Sequence, residues 1–195
     1  DNVRVRQAIT MGIDKKAAIA VALDGYGSQG LGLMPPGSPW AVDEADACAI
    51  PGWCPNPDMD AQRAEAIQIL KEENFDFDKT YLFTVEGDRQ RVTRATLAQE
   101  QLRLLGIKTD FDTVETVAYR KQSQTGLWGD FVGSTGGVSG IDDPYVGLGH
   151  YYTCQSLYNF QTPGTDCDQE VEAAFLELSG TIDPVARKKL GDQIQ

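Results

Sequence analysis

Hydrophobic side chains recur along the chain in two periods, and the switches between them outline a fold. Val5, Ala8, Ile9 and Ile13 fall at helical spacing, which predicts a helix over 3–11 with Asp1 as its cap. Asp14 reads as the N-cap of a second helix, 15–23, that stops at Gly25, a residue free to take positive φ. Behind a cap at Asp58 or Asp60, the positions Ala64, Ala66, Ile67 and Leu70 make the apolar face of a helix over 61–73. The clearest helix is 92–105, where Val92, Ala95, Ala98, Leu102 and Leu105 step by 3, 3, 4 and 3 before Gly106 ends it.

Between these helices the period shortens to two. Residues 81–85 and 107–111 alternate as strands, 114–124 reads as a short helix, and 130–133 as a third strand. A strand–helix–strand unit that crosses over through a full helix predicts parallel pairing. The fold class expected is therefore α/β, with a central, mostly parallel sheet flanked by helices. Farther on, Asp168 caps a helix over 169–178, and Asp183-Pro184 supplies the N-cap and first-turn proline of a helix running to the last residue.

Two stretches follow neither period. Residues 25–57 are punctuated by Gly, Pro and Asp, as in Met34-Pro35-Pro36-Gly37 and Ile50-Pro51-Gly52. A loop of that length in a compact domain is functional or pinned, and Cys48 with Cys54, close by Trp53, would pin it. Residues 133–149 are dense in glycine, which lets backbone approach a ligand closely. Gly-Ser-Thr-Gly-Gly there lacks the spacing of a nucleophile elbow or a phosphate loop, and no helical pattern follows it.

Composition removes whole classes of function. The 195 residues are 41% hydrophobic and 24% charged, an ordinary globular balance, and the net charge is 17 − 29 = −12. So acidic a surface repels nucleic-acid phosphates and anionic lipid heads. The longest greasy run, 17–23, is far shorter than a membrane helix. A single histidine, His150, argues against His-rich zinc sites; beside Tyr151 and Tyr152 it reads as a structural residue. Cys48, Cys54, Cys154 and Cys167 allow three connectivities; local pairing, 48–54 with 154–167, is the simplest, and free thiols are the alternative. Paired cysteines imply an oxidising compartment. The chain opens without an initiator Met or signal peptide and closes inside a helical pattern, so it is expected to be a piece of a longer protein.

The pieces, taken in order, resemble one family. Asp1-x-Val3-Arg4-Val5-Arg6-Gln7-Ala8-Ile9, four residues, then Asp14-Lys15, is similar to the opening signature of family 5 extracytoplasmic solute-binding proteins, the dipeptide/oligopeptide/nickel class that feeds ABC importers. Further similarities follow in register. They are Tyr26-Gly27 with Pro35-Pro36-Gly37, Asp60 with Ala64-Glu65-Ala66 and Leu70, the Leu105-Gly106-Ile107 step, Gly129-Asp130-Phe131 leading to Asp143-Pro144, then Asn159 and Arg187.

The resemblance implies that 1–195 is a single lobe, the second of a two-lobe receptor whose first lobe lies outside this stretch. It implies an extracytoplasmic location, a small solute such as a peptide, an ABC permease as partner, and a monomer. It implies no nucleic acid, cofactor, metal or catalytic residue. The spacing of Cys154 and Cys167 resembles a disulfide loop of some dipeptide-binding members. Ligand contacts are implied in the loop after the strand ending at Gly133, here Ser134, Thr135, Gly136 and Gly137, with Gly137 where the family's aspartate is expected. Asp142, later in that longer loop, is then the candidate carboxylate, and Arg89, in the turn before the long helix, the candidate cation. The alternative reading is a secreted hydrolase using a carboxylate pair from the aspartate-rich loops.

Overall fold

The computed structural model describes residues 2–27, 29–30, 32–54, 56–125, 129–133, 142–156, 159 and 167–195. They form two compact units: residues 1–29, 44–116 and 128–135 make one, and 30–43, 117–127 and 136–195 the other.

The first unit is an α/β layer. Helix α1 (Val3–Gly12) begins where expected, but its cap is Asn2, whose side chain accepts from the amides of Arg4 at 2.9 Å and Val5 at 3.4 Å; Asp1, the expected cap, lies outside the described residues. Asp14 caps α2 (Lys15–Ala22) as expected, through Ala17 N–H, and Gly25 follows at φ 79°. A short helix, α3 (Glu44–Cys48), lies in the stretch expected to be irregular; one turn is too brief to show a period. Asp58 caps α4 (Met59–Glu72), whose buried positions Gln62, Ala66 and Leu70 step by four. Ala64, expected on that face, is exposed.

Strand β1 (Thr80–Glu86) leads into α5 (Arg89–Leu104) and β2 (Lys108–Val114), and β3 (Phe131–Gly133) follows later in the chain. All pairings are parallel, in the order β2-β1-β3, with Phe83 opposite both Phe111 and Phe131. Residues 83–86 of the central strand are consecutively buried, as a parallel strand flanked on both edges should be. Helices and the α5 C-cap supply the rest of the core: Ala8, Met11, Ala66, Leu70, Ala95 and Leu102, with Leu105 at the cap, pack with Phe83, Val85 and Ile107.

Short β3 needs anchors beyond its own ladder. Gly129 N–H donates to Thr84 Oγ1 at 2.9 Å, and Asp130 accepts from Leu82 N–H at 2.8 Å and Lys79 Nζ at 2.5 Å. The Lys79 hydrogen bond is the main reason the Asp130 carboxyl is held below the usual carboxylate range; partial burial opposes it.

Cys48 and Cys54 are disulfide-bonded, Cα–Cα 5.1 Å. Inside that loop Gly52 adopts φ 79° and lies against the backbone of Met11. Lys15 Nζ donates to the carbonyls of Gly52 at 2.5 Å and Trp53 at 3.3 Å, and burial lowers its pKa. The 48–54 loop is therefore fastened to the α1–α2 corner, which is the pinning its two cysteines suggested.

The second unit is helical where described. It contains nearly all of α6 (Thr116–Thr125), then α7 (Pro144–Tyr152), α8 (Gln169–Gly180) and α9 (Pro184–Ile194). Met34, Leu148, Ala174, Phe175, Leu178, Leu190 and Ile194 form its core. The Gln195 amide accepts from Leu33 and Met34 N–H at 3.0 and 2.9 Å and donates to Trp40 O at 3.0 Å, tying that loop to the end of α9. Cys154 and Cys167 form the second disulfide, so all four cysteines pair locally.

Helix α7 corrects the expectation that no helix follows the glycine run. Gly147 and Gly149 depress helix propensity, but Asp143-Pro144 is the same cap-and-proline start as Asp183-Pro184.

Candidate solute-binding edge

In an open parallel sheet, ligands bind outside the carboxyl ends of the strands where strand order reverses. Here the chain passes from β1 to β2 on one side and returns to β3 on the other, so the reversal falls at the carboxyl end of β1.

That end is unusually charged for the end of a core strand. Glu86, the last residue of β1, is only 5% exposed, and its carboxylate pairs with the guanidinium of Arg91. The Arg91 side chain is itself 31% exposed. Gly87 N–H donates to Val114 O at 2.8 Å, closing the turn onto the end of β2. Asp88 then caps α5, its Oδ1 accepting from Gln90 and Arg91 N–H at 3.0 and 3.2 Å. Arg89, the cation expected from the sequence, is the exposed first residue of α5.

Of the remaining candidates, Ser134, Thr135, Gly136 and Gly137 lie outside the described residues, as does the side chain of His150. Asp142 belongs to the second unit, where the fold brings it to Ser38 and Trp40. Its Oδ1 accepts from Ser38 Oγ at 2.5 Å, and its carbonyl accepts from Trp40 Nε1 at 3.1 Å. Neighbouring Asp143 accepts the first-turn amides of α7, Tyr145 at 2.9 Å and Val146 at 3.3 Å. It also binds Arg187 at 2.5 Å. Arg187 donates to the carbonyls of Leu178 and Thr181 at 3.0 and 2.6 Å and lies 5.9 Å from the Trp40 ring centroid. Asp142 thus keeps an exposed carboxylate, whereas Asp143 is a structural cap.

The Glu86–Arg91 pair was not singled out from the sequence. Its one signal was an acidic residue closing an apolar strand, with an arginine five positions on. Among the described residues, no group of three or more His, Cys, Asp or Glu could hold a metal ion, and no helix is long and apolar enough to cross a membrane.

Comparison with known proteins agrees with the fold. A periplasmic murein tripeptide-binding protein, MppA, solved unliganded and open, superposes with a TM-score of 0.79 at 16% identity, over 99% of this chain and 36% of that one. The oligopeptide-binding protein AppA of Bacillus subtilis, in complex with a nonapeptide, gives 0.70 at 22% identity over 99% and 38%. AgaA of A. tumefaciens R10, in complex with agropinic acid, gives 0.70 at 24% over 98% and 37%. The chain thus spans somewhat over a third of the length of these structures, and at such identities the likeness speaks for the fold. Comparison with curated proteins returns no match. The model of the bacterial extracellular solute-binding proteins, family 5 middle region, matches residues 1–159. That match covers most of the sequence, and the chain belongs to this family.

Proposed function

We propose that residues 1–195 are one ligand-binding lobe of an extracytoplasmic receptor that delivers a peptide or similar small solute to an ABC importer, and that no bond is broken in the process. Family membership supports this reading, and the single observation that carries it is the sheet order β2-β1-β3, which puts a charged edge at the carboxyl end of β1. A solute held between two lobes stabilises the closed state by its differential affinity for that state. Arg89 and the backbone of Ser134, Thr135, Gly136 and Gly137 contribute contacts in this proposal, with Asp142 as the carboxylate for an amine-bearing solute. Both disulfides suit an oxidising compartment.

The test is purification of the intact protein without denaturation and identification of its co-purifying solute by mass spectrometry. Calorimetry of that solute follows, on the parent and on Asp142→Ala and Arg89→Ala. A buried charge pair predicts a loss of about 2–3 orders of magnitude for the residue that makes it. Turnover of peptide or glycoside substrates without ligand-induced closure would overturn the receptor reading.

A further inference from the structure

We propose that the cleft between the α1–α2 corner, the 48–54 disulfide loop and the first turns of α4 binds a compact, uncharged polyol, a short carbon chain with a hydroxyl on each carbon. This site is separate from the solute-binding edge. Gln101 Oε1 accepts from Asp14 N–H at 2.6 Å, which places the α1–α2 corner beside that residue of α5. Gln101 stands twelve positions beyond Arg89, and so about 18 Å along the helix from the carboxyl end of β1.

The observation that points to a ligand is Gln62. It lines the cleft from α4 and is only 8% exposed, and its Oε1 is enclosed without a hydrogen-bond partner among the described residues. Its Nε2 has no described partner either. A carboxamide buried in this condition destabilises a fold, and native proteins pair such groups with protein or with a bound molecule. The other buried positions of the same stripe are Ala66 and Leu70, so packing alone would be served by an apolar residue. The last torsion of glutamine is broad, and the amide can turn its oxygen to the cleft once a donor stands there.

The rest of the wall selects the chemistry. Asp14 Oδ1 accepts from Ala17 N–H at 2.8 Å, while Oδ2 has no donor among the described residues. Lys15 Nζ directs two of its three N–H groups to the carbonyls of Gly52 and Trp53, leaving one. Asn56 Oδ1 accepts from Asp58 N–H at 2.9 Å, and its Nδ2 has no described acceptor. Donors and acceptors thus stand side by side, and a hydroxyl is the group that answers both. A cation would meet Gln62 and Asp14 but stand against the Lys15 ammonium. An anion would meet Lys15 but stand against the Asp14 carboxylate, so an uncharged ligand avoids both repulsions. The cleft measures about 190 Å³, the share of about six water molecules at about 30 Å³ each, which suits a chain of about three or four hydroxylated carbons.

The experiment titrates the intact 15N-labelled protein with erythritol at constant ionic strength. Sucrose, too large for the cleft, reads the general effect of a sugar solution; ethylammonium chloride and sodium acetate read the two charged alternatives. Erythritol should shift the Gln62 side-chain amide and the Gly52 backbone amide saturably, with half-saturation at millimolar concentration, and the other three should shift them at least about fivefold less. Gln62→Leu, which completes the apolar stripe of α4, should keep the circular dichroism of the parent and lose the Gly52 response. Asp14→Asn keeps a cap acceptor for α2 and puts an amide nitrogen in place of the free oxygen. It should weaken erythritol binding by about three- to tenfold, the worth of one hydrogen bond. No saturable shift with erythritol, the result for a cleft that holds water only, overturns the proposal. So does an equal response to sucrose, tighter saturation by either charged probe, or a folded Gln62→Leu that still responds at Gly52. Should Gln62→Leu fail to fold, Asp14→Asn decides, and erythritol binding as tight as in the parent overturns the proposal.

Discussion

Replacing Gly52 with alanine tests whether the disulfide loop is pressed onto α1 or merely lies near it. Gly52 has φ 79°, a region in which an L-residue costs about 1 kcal/mol. The added methyl would also lie 2.6 Å from Met11 N, 2.7 Å from Met11 Cα and 2.9 Å from Thr10 C. These are helix backbone atoms beside a buried residue, so they cannot turn aside as a flexible side chain would. The loop must lift, at an overpacking cost of about 1–3 kcal/mol. Together the two effects give about 2–4 kcal/mol. Gly25→Ala is the control, because Gly25 has the same φ of 79° and nothing within 4 Å of its added carbon. It should cost only the conformational share, about 1 kcal/mol. Urea unfolding with disulfides intact reads both. At a slope of about 2 kcal/mol/M, Gly52→Ala should lower the midpoint by about 1–2 M and Gly25→Ala by about 0.5 M. Equal midpoints for the two variants would show that the loop has room to move and that the contact with α1 is no constraint.

Asp143→Ala should lower the stability of the second unit by about 2–4 kcal/mol, since it removes the α7 cap and leaves Arg187, 17% exposed, without its carboxylate. Asp143→Asn, which keeps a cap acceptor, should cost less; thermal unfolding by circular dichroism that ranks the two equally would sink the ion-pair part of the argument. The folded pKa of Asp130 lies below its unfolded value, so its stabilisation is present above the unfolded value of about 3.9 and is lost as pH falls through the folded one. Asp130→Asn should therefore unfold at lower urea than the parent at neutral pH and match it in strong acid; a gap that persists in acid would refute the assignment.

Much of the architecture is written locally and was legible without coordinates. Asp14, Asp168 and Asp183 announce their helices because capping involves only a side chain and amides two or three residues away. The 3, 3, 4, 3 stepping of 92–105 marks α5, and a helix between two strands forces the parallel pairing of β1 and β2. Cysteines six and thirteen residues apart pair with the nearer partner.

What was not legible depends on neighbours distant in sequence. Strand β2 runs to Val114, three residues past its alternating stretch, because the whole of β1 lies alongside it. Gln62 takes the buried place on α4 expected for Ala64, since the surrounding helices and not α4's own pattern decide which stripe faces inward. Asp142 meets Ser38 and Trp40 across more than a hundred residues. Glu86 looked like one polar residue of a turn until the sheet enclosed it and placed Arg91 against it. Caps and periods are short-range and survive in the sequence, whereas burial and charge pairing come from packing, which only the tertiary structure decides.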